Sequence, residues 1–270
     1  MLPEIEKLQL ILREAAAAEI LPRFAEVTRT HKADGSIVTA ADLSMQKRVA
    51  DALNQSWPEY SFLGEEMPHD QQQQVWDEGA SGVWCLDPLD GTSNFASGIP
   101  FFSVALALFI NQQPVLGLVY DPVREECFSA EKGVGAWLNG NRLTSDVPSL
   151  PLKRAIGVVD FKRLTKQLGR SLGESPPYGS QRNFGSSALE WCWLAADRFH
   201  VYVHGGQKLW DYAAGSLILA EAGGHALTLN GETVACGRFS SRSVVAALDE
   251  ELFKEWRGWL EQFPDEAGSV

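Results

Sequence analysis

The sequence Asp87-Pro88-Leu89-Asp90-Gly91-Thr92-Ser93 stands directly after residues 82–86, an apolar run that predicts a β-strand. Both carboxylates are therefore expected at the carboxyl end of a strand, where α/β folds place their functional sites. Two acids on either side of a proline-stiffened turn can converge on a hard cation, and Leu89 can turn its carbonyl oxygen toward the same cation. The stretch thus predicts a metal site on a mixed α/β fold.

The residues after Asp90 add a feature that can bind an anion. Gly91 allows close approach of the backbone, and the N–H groups of Gly91, Thr92 and Ser93 could open a short helix whose N-terminus holds a phosphate. A cation site beside a phosphate cradle is what metal-assisted phosphoryl transfer requires. The alternative for this motif alone is a strand-to-helix turn in which an aspartate caps the helix.

Other acids occupy comparable positions along the chain. Glu65 follows a predicted strand at residues 60–64, and Asp211 stands at the start of a predicted helix of small residues. Asp42 lies in the first turn of a predicted helix that Thr39 can cap. Acids at helix N-termini are usually caps, so Asp42 and Asp211 alone would indicate nothing more. Their coincidence with the Asp87–Asp90 motif in one chain favours a shared site.

Composition excludes several classes of protein. The 270 residues are 45% hydrophobic, which rules out a disordered chain, and the net charge of -12 makes direct binding of nucleic acid or anionic lipid unexpected. The longest apolar run, residues 101–110, is far shorter than the roughly 20 residues of a membrane-spanning helix. The charged N-terminus is not typical of a signal peptide, and four scattered cysteines without a C-x-x-C pair are expected as reduced core residues. We therefore expect a cytoplasmic protein.

The pattern of predicted elements changes near residue 150. Residues 1–150 read as an α+β half that carries most of the candidate metal ligands. Residues 151–270 alternate strands and helices and read as an α/β half that carries Asp211 and a loop on the substrate side. Residues 69–79 are predicted to form an exposed loop, and residues 161–172 a helix. Trp191, Trp193 and Trp210 are expected in the core.

These motifs together resemble the inositol monophosphatase family of Mg2+-dependent, lithium-sensitive phosphatases, a superfamily that also holds the 3'(2'),5'-bisphosphate nucleotidases. The resemblance covers nearly the whole chain and rests mainly on the pair of DPLDGT (residues 87–92) and WDYAAG (residues 210–215). Residues 34–42, 64–66 and 185–187 carry it further. It implies a layered αβαβα sandwich of the sugar-phosphatase type.

The resemblance also implies roles for individual residues. It assigns Glu65, Asp87 and the carbonyl of Leu89 to a first Mg2+, and Asp87, Asp90 and Asp211 to a second, with two or three ions in all. It makes Thr92, Asp42 and Glu65 the catalytic residues, with Thr92 and Asp42 orienting the attacking water. The backbone of Gly91, Thr92 and Ser93 would grip the phosphate, and the substrate would lie near Arg182, Gly185, Ser186, Ser187 and His204.

The sequence indicates the substrate less clearly than it indicates the family. Inositol-specific members carry an acid where this chain has His204, which weakens an inositol assignment. Residues 208–215 also look like the phosphoadenosine phosphatases, whereas Ser93-Asn94 replaces the Lys-Glu of that branch and favours the inositol-type branch. We expect a phosphomonoesterase for a small phosphorylated polyol or sugar, with inositol 1-phosphate as the leading candidate and adenosine 3',5'-bisphosphate as the alternative.

A third hypothesis comes from another class of protein. Some bacterial relatives are thought to act by binding RNA polymerase or ribosomal assemblies, so the chain could be a regulatory protein that retains the phosphatase fold. The clustered carboxylates argue against a purely non-catalytic role, because such a cluster destabilises a fold unless metal is bound. The resemblance further implies a homodimer, with a small phosphorylated substrate as the ligand.

Overall fold

The computed structural model describes residues 2–26, 30–31, 37–146, 148–235 and 237–263. The Asp34–Ser36 part of the motif and Cys236 therefore lie outside the described residues. Among the described residues, no helix combines the length and apolar character needed to cross a membrane.

The first half of the chain forms an antiparallel-rich sheet with two helices on one face. Its helices are α1 (Ile5–Glu19), α2 (Ala40–Ser56), α3 (His69–Glu78) and α4 (Thr92–Ala96). Its strands are β1 (Thr30–His31), β2 (Ile37–Val38), β3 (Ser61–Gly64), β4 (Val83–Asp90), β5 (Ser103–Ile110), β6 (Gln113–Asp121), β7 (Glu126–Glu131), β8 (Gly135–Leu138) and β9 (Asn141–Leu143). Strands β3 to β9 form a seven-stranded sheet in chain order, and β1 pairs with β2.

The second half forms a five-stranded sheet. Its strands are β10 (Ile156–Asp160), β11 (Ser180–Arg182), β12 (Val201–Gln207), β13 (His225–Leu227) and β14 (Arg242–Ala247), in the order β11-β10-β12-β14-β13. Its helices are α5 (Lys166–Glu174), α6 (Ser187–Ala195), α7 (Leu209–Glu221) and α8 (Glu250–Leu260). Short 3-10 helices cover Leu21–Arg23 and Leu152–Arg154. Strand β10 is parallel to both β11 and β12, whereas β14 is antiparallel to β12.

Strand alternation sorts the core into layers. In β5, Val104 and Leu106 pack with α1 and α2, whereas Ala105 and Ala107 face the opposite cluster, which contains α6 and α7. In β12, Tyr202 faces that same cluster, while its neighbours face a third cluster with α5 and α8. Helices α6 and α7 therefore lie between the two sheets, and the order α1/α2, sheet, α6/α7, sheet, α5/α8 is the expected αβαβα sandwich.

Close packing of the central helices depends on Gly215 of α7. A Cβ atom on Gly215 would lie 2.3 Å from Cβ of the buried Trp191 in α6, so the two helices approach more closely than alanine allows. We expect Gly215→Ala to lower the free energy of unfolding by roughly 2 kcal/mol, because a well-packed core cannot absorb the extra methyl group. Urea unfolding measures it. Gly258→Ala in α8, where nothing lies within 4 Å, is the control and should be neutral or slightly stabilising.

Two predicted elements differ from the structure. The loop predicted for residues 69–79 is wrong, because helix α3 occupies His69–Glu78 and buries Gln72 and Trp76, one helical turn apart. Its start at Pro68 and its glutamines suit a helix, although they carry too few apolar residues to show a periodic face. The helix predicted from residue 161 begins only at Lys166, where the Thr165 hydroxyl accepts a hydrogen bond from the Leu168 N–H.

Candidate active site

The site begins where two parallel strands of the first sheet end. Strands β3 and β4 are parallel with Gly64 opposite Leu86, so the next residues, Glu65 and Asp87, emerge at the same edge. The Glu65 N–H donates to the Leu86 carbonyl at 3.0 Å. From α3, the Gln72 amide donates to the carbonyls of Gly64 and Glu65 at 2.9 and 3.0 Å. The helix that sequence patterning misses thus fixes the backbone that presents Glu65.

A β-bulge separates the two aspartates of β4. Asp87 pairs with Ala105 and Asp90 with Ser103, so β4 has one more residue than β5 between these pairs. Pro88 has no N–H to donate to the ladder and is tolerated at such an irregularity. Bulges next to active sites redirect side chains. Here the bulge leaves Asp87 accepting from the Leu89 N–H at 3.0 Å and buries both carboxyls.

Asp90 connects the two halves of the chain. Its Oδ2 accepts hydrogen bonds from the Ser186 hydroxyl at 2.6 Å and from the Ala188 N–H at 2.7 Å. These donors lie at the N-terminus of α6, which otherwise has no capping side chain of its own at Ser186. Asp90 therefore acts as a cap supplied from another part of the chain, and the cap satisfies backbone groups that a helix start leaves unpaired.

Asp211 completes the acidic cluster from the second sheet. It stands in the first turn of α7, directly after β12, and its Oδ2 accepts from the Lys208 N–H at 2.8 Å. Its charge reaches the first-half acids, since the carboxylates of Asp90 and Glu65 raise the pKa of Asp211 further after burial has raised it. The structure thus brings Glu65 after β3, Asp87 and Asp90 of β4, and Asp211 of α7 close enough for their charges to interact.

Burial and mutual repulsion dominate the electrostatics of this cluster. Burial raises the pKa of Asp90 to about 6, and it raises the pKa of Asp87 well above its ordinary value, with repulsion by Glu65, Asp90 and Asp211 adding to the effect. Among the described residues, no lysine, arginine or histidine forms a salt bridge with Asp87, Asp90 or Asp211. A cation is therefore the partner that these carboxylates lack.

The donor atoms suit Mg2+. In the described part of the chain, no three His, Cys, Asp or Glu side chains already converge as one ligand set, because each aspartate is turned toward nearby N–H or O–H donors. Mg2+ usually keeps several of its waters, so its protein ligands need not form a closed cage. Oxygen donors without thiol or imidazole are also the set that hard cations prefer.

Thr92 and Asp42 meet beside the cluster. The Thr92 hydroxyl lies 3.1 Å from Oδ1 of Asp42 and 2.9 Å from the Leu89 carbonyl, and either oxygen can accept its proton. The other oxygen of Asp42 accepts from the N–H and the hydroxyl of Thr39 at 2.8 and 2.6 Å, which forms the capping box expected at the start of α2. Burial raises the pKa of Asp42, and the Thr39 bonds oppose that rise.

Gly91 turns the chain from β4 into α4. Its φ of 92° lies in the left-handed region, and a Cβ atom there would lie 3.0 Å from the Phe101 carbonyl and 3.2 Å from Cβ of Ser186. Both the backbone angle and the crowding require glycine. Helix α4 begins at Thr92, as the sequence predicts, so the N–H groups of Gly91, Thr92 and Ser93 lie at a helix start next to the acids.

Of the residues expected near the substrate, one group adjoins the acidic cluster, and the other, Arg182 and His204, lies on strands β11 and β12. Gly185, Ser186 and Ser187 adjoin the cluster, but the Ser186 hydroxyl is fully buried and its contact is with Asp90. Arg182 is exposed at the end of β11 and donates to the Ser180 hydroxyl. His204 is buried in β12, with Nδ1 accepting from the Gly206 N–H and Nε2 at 3.6 Å from Asp160. Burial lowers its pKa to about 4.

A network of buried polar side chains next to Gly185 is not predicted by the sequence. Glu190 of α6 accepts from the N–H groups of Phe184 and Gly185 at 3.0 and 3.1 Å, and its other oxygen accepts from the Tyr202 hydroxyl at 2.9 Å. Gln207 donates to that hydroxyl and accepts from the Trp191 indole. Burial raises the pKa of Glu190 to about 7. The one available signal was a single charge in the apolar helix SALEWCWLA, which marks a buried acid.

Comparisons with known proteins agree with this architecture. A model of the inositol monophosphatase family matches residues 3–259. The Escherichia coli (strain K12) protein named Nus factor SuhB is 31% identical over 246 residues, which cover 84% of this chain and 87% of that protein.

Solved structures extend the likeness to three dimensions. The IMPase of Thermotoga maritima superposes with a TM-score of 0.81 at 26% identity, covering 97% of this chain and 99% of that chain. The Staphylococcus aureus protein SaIMPase-II, solved with inositol monophosphate bound, gives a TM-score of 0.79 at 26% identity and covers 95% of this chain and 93% of that chain.

Proposed function

This chain belongs to the inositol monophosphatase family, and we propose that it is a Mg2+-dependent phosphomonoesterase that hydrolyses a small phosphorylated polyol or sugar. The observation that carries the proposal is that Glu65, Asp87, Asp90 and Asp211 lie near enough to repel one another, beside the Thr92–Asp42 pair. Among the described residues, Asp87, Asp90 and Asp211 form no salt bridge with a basic side chain, and the cluster adjoins a helix start that can hold an anion. A divalent cation with a phosphomonoester satisfies both features.

In this proposal the acids hold the ions. Glu65, Asp87 and the Leu89 carbonyl hold one Mg2+, and Asp87, Asp90 and Asp211 hold another, with two or three ions in all. Bound Mg2+ supplies a water of lowered pKa and neutralises charge on the phosphate. Asp42, kept in place by Thr39, accepts from Thr92, and the Thr92 oxygen then faces the water that it orients. The N–H groups of Gly91, Thr92 and Ser93 donate to phosphate oxygens.

Inositol 1-phosphate is the leading substrate in this proposal. Support comes from SaIMPase-II, which shares the fold and whose structure contains inositol monophosphate. On this chain, Arg182, Gly185, Ser187 and His204 would contact the part of the substrate beyond its phosphate. The neutral imidazole of His204, where inositol-specific members carry an acid, keeps adenosine 3',5'-bisphosphate as the alternative substrate.

A regulatory role is a second candidate. The E. coli relative is named Nus factor SuhB, and this name supports the regulatory candidate. In such a role the chain would keep the fold and act by binding RNA polymerase or ribosomal assemblies. The two candidates differ in whether the acidic cluster is needed, because only hydrolysis depends on its cations.

Phosphate release from a panel of substrates tests the proposal. The panel holds inositol 1-phosphate, adenosine 3',5'-bisphosphate, fructose 1,6-bisphosphate, histidinol phosphate and NADP, each with Mg2+ and with or without lithium. We expect hydrolysis that needs Mg2+, is inhibited by lithium and favours inositol 1-phosphate among the monophosphates. Folded protein that binds Mg2+ and hydrolyses none of them would reject the enzyme and favour the regulatory candidate.

A further inference from the structure

Basic residues follow three neighbouring parallel strands of the second sheet. Strands β11, β10 and β12 are parallel, so their carboxyl ends lie at one edge of the sheet. Arg182 ends β11, Lys162 and Arg163 follow β10, and Lys208 follows β12. All four side chains belong to exposed residues. We call these four residues the basic rim.

The edge that carries the basic rim faces the acidic cluster. Strand β12 leads through Lys208 into the first turn of α7, which contains Asp211. Strand β11 leads from Arg182 to Ser186, whose hydroxyl donates to Asp90 at 2.6 Å. Ligands of open α/β sheets bind in the crevice outside the carboxyl ends of the strands. The rim therefore borders the same crevice as the proposed metal ligands.

Arg163 is held firmly in this border. Its guanidinium donates to the Gly206 carbonyl at the end of β12. A Cβ atom on Gly205 would lie 2.1 Å from the carbonyl carbon of Arg163, so the loop after β10 packs directly on the glycines. The Arg163 charge reaches both Asp211 and His204, and it lowers the pKa of each. Besides Asp211, the acid Asp160 stands at this edge, where it is half-buried and lies 3.6 Å from Nε2 of His204.

The basic rim is positively charged, whereas the chain as a whole is acidic. With a net charge of -12, a row of four basic residues at one sheet edge stands out against an acidic surface. The buried carboxylates suit cations and one phosphate, whereas the exposed basic rim would attract a second negative group. A monophosphate of an uncharged polyol has no second negative group for the basic rim to bind.

We propose that the preferred substrate carries a second anionic group, a phosphate or a carboxylate, and that Arg163 and Lys162 in the basic rim bind it while the acidic cluster and its cations bind the phosphate to be removed. This inference rests on the proposed phosphatase activity and narrows its substrate class: inositol 1-phosphate leads among the monophosphates, and a substrate with a second anionic group is preferred to it. Arg163 is fixed by Gly206, so it loses little side-chain freedom on binding, and Lys162 adds a second charge beside it.

Matched substrates test the inference. We would compare kcat/KM for inositol 1,4-bisphosphate with that for inositol 1-phosphate, and for adenosine 3',5'-bisphosphate with that for adenosine 3'-phosphate. We expect the bisphosphate to be preferred by about tenfold in at least one pair, the effect of one charge-assisted hydrogen bond. The double variant Lys162→Gln/Arg163→Gln should reduce that ratio toward one, and Arg163→Lys should keep most of it.

The opposite end of the same strand offers a control. Lys153 and Arg154 are exposed and stand just before β10, so Lys153→Gln/Arg154→Gln removes the same two charges at the far edge of the sheet. This variant should retain the wild-type ratio. Equal kcat/KM values within both pairs, or a preference that survives Lys162→Gln/Arg163→Gln, would overturn the inference and leave the phosphatase standing. Failure to hydrolyse any of the four compounds would instead reject the proposed function, and the inference with it.

Discussion

Replacing Asp90 by asparagine is expected to reduce kcat for the phosphomonoester by about a thousandfold, since loss of a ligand that holds a catalytic cation removes several kcal/mol of transition-state stabilisation. The fold should survive. Asparagine has the same shape, and its carbonyl oxygen can still accept from the Ser186 hydroxyl and the Ala188 N–H that start α6. What it loses is the negative charge that the proposed second Mg2+ requires.

Stability measurements separate this effect from unfolding. Burial raises the pKa of Asp90 to about 6, so without metal the ionised carboxyl destabilises the folded state above that pH. Asp90→Asn should accordingly be at least as stable as wild type at pH 8 in EDTA, by urea unfolding. Asp77→Asn, an exposed acid on α3, is the charge-matched control and should keep wild-type turnover. Turnover of Asp90→Asn within twofold of wild type at saturating Mg2+ would contradict the metal assignment.

Local sequence was sufficient for the parts of the site that depend on neighbours in the chain. The Thr39–Asp42 capping box, the strand before Asp87 and the helix start at Thr92 follow from spacing alone, because caps and turns are built from residues three or four positions apart. That Glu65 and Asp87 lie at one edge is known only from the structure, in which β3 and β4 are parallel neighbours. The family's motifs added Asp211, which no local pattern connects to the others.

Long-range contacts explain what the sequence left out. Glu190 accepts from Tyr202, and Tyr202 accepts from Gln207, only because α6 packs on β12, and nothing in their spacing marks them as partners. Helix α3 is missed for a related reason. Gln72 is polar but buried, because it bonds to the carbonyls of Gly64 and Glu65, and the hydrophobic pattern therefore does not show that its position is buried. Arg163, which follows β10, is positioned by a hydrogen bond to the carbonyl of Gly206 on the neighbouring strand β12. In each case tertiary structure overrides the local pattern.

The buried Glu190 should make stability depend on pH. Its pKa in the folded protein is about 7, above its ordinary value of 4.5, because burial penalises the charged carboxylate. An acid whose pKa is raised by folding contributes stability that is complete below its unfolded pKa and is lost as pH rises through the folded pKa. The contribution of Glu190 should therefore fall by about 3 kcal/mol between pH 4 and pH 9.

Glu190→Gln isolates this contribution, because glutamine resembles the protonated acid. Its carbonyl can accept from the N–H groups of Phe184 and Gly185, while its amide faces the Tyr202 hydroxyl. We expect the free energy of unfolding of wild type minus that of the variant to decrease by about 3 kcal/mol from pH 4 to pH 9, measured by urea unfolding in EDTA so that metal binding does not contribute.

An exposed acid supplies the comparison for this experiment. Glu14 on α1 is exposed, so Glu14→Gln should follow the wild-type curve at every pH. A difference between wild type and Glu190→Gln that stays constant across the range would show that Glu190 does not change its protonation there. In that case Glu190 would keep one charge state across this pH range while it bonds to Phe184, Gly185 and Tyr202. A falling difference means that the folded protein is most stable when Glu190 is protonated, and that burial of its carboxylate outweighs the bonds from Phe184 and Gly185.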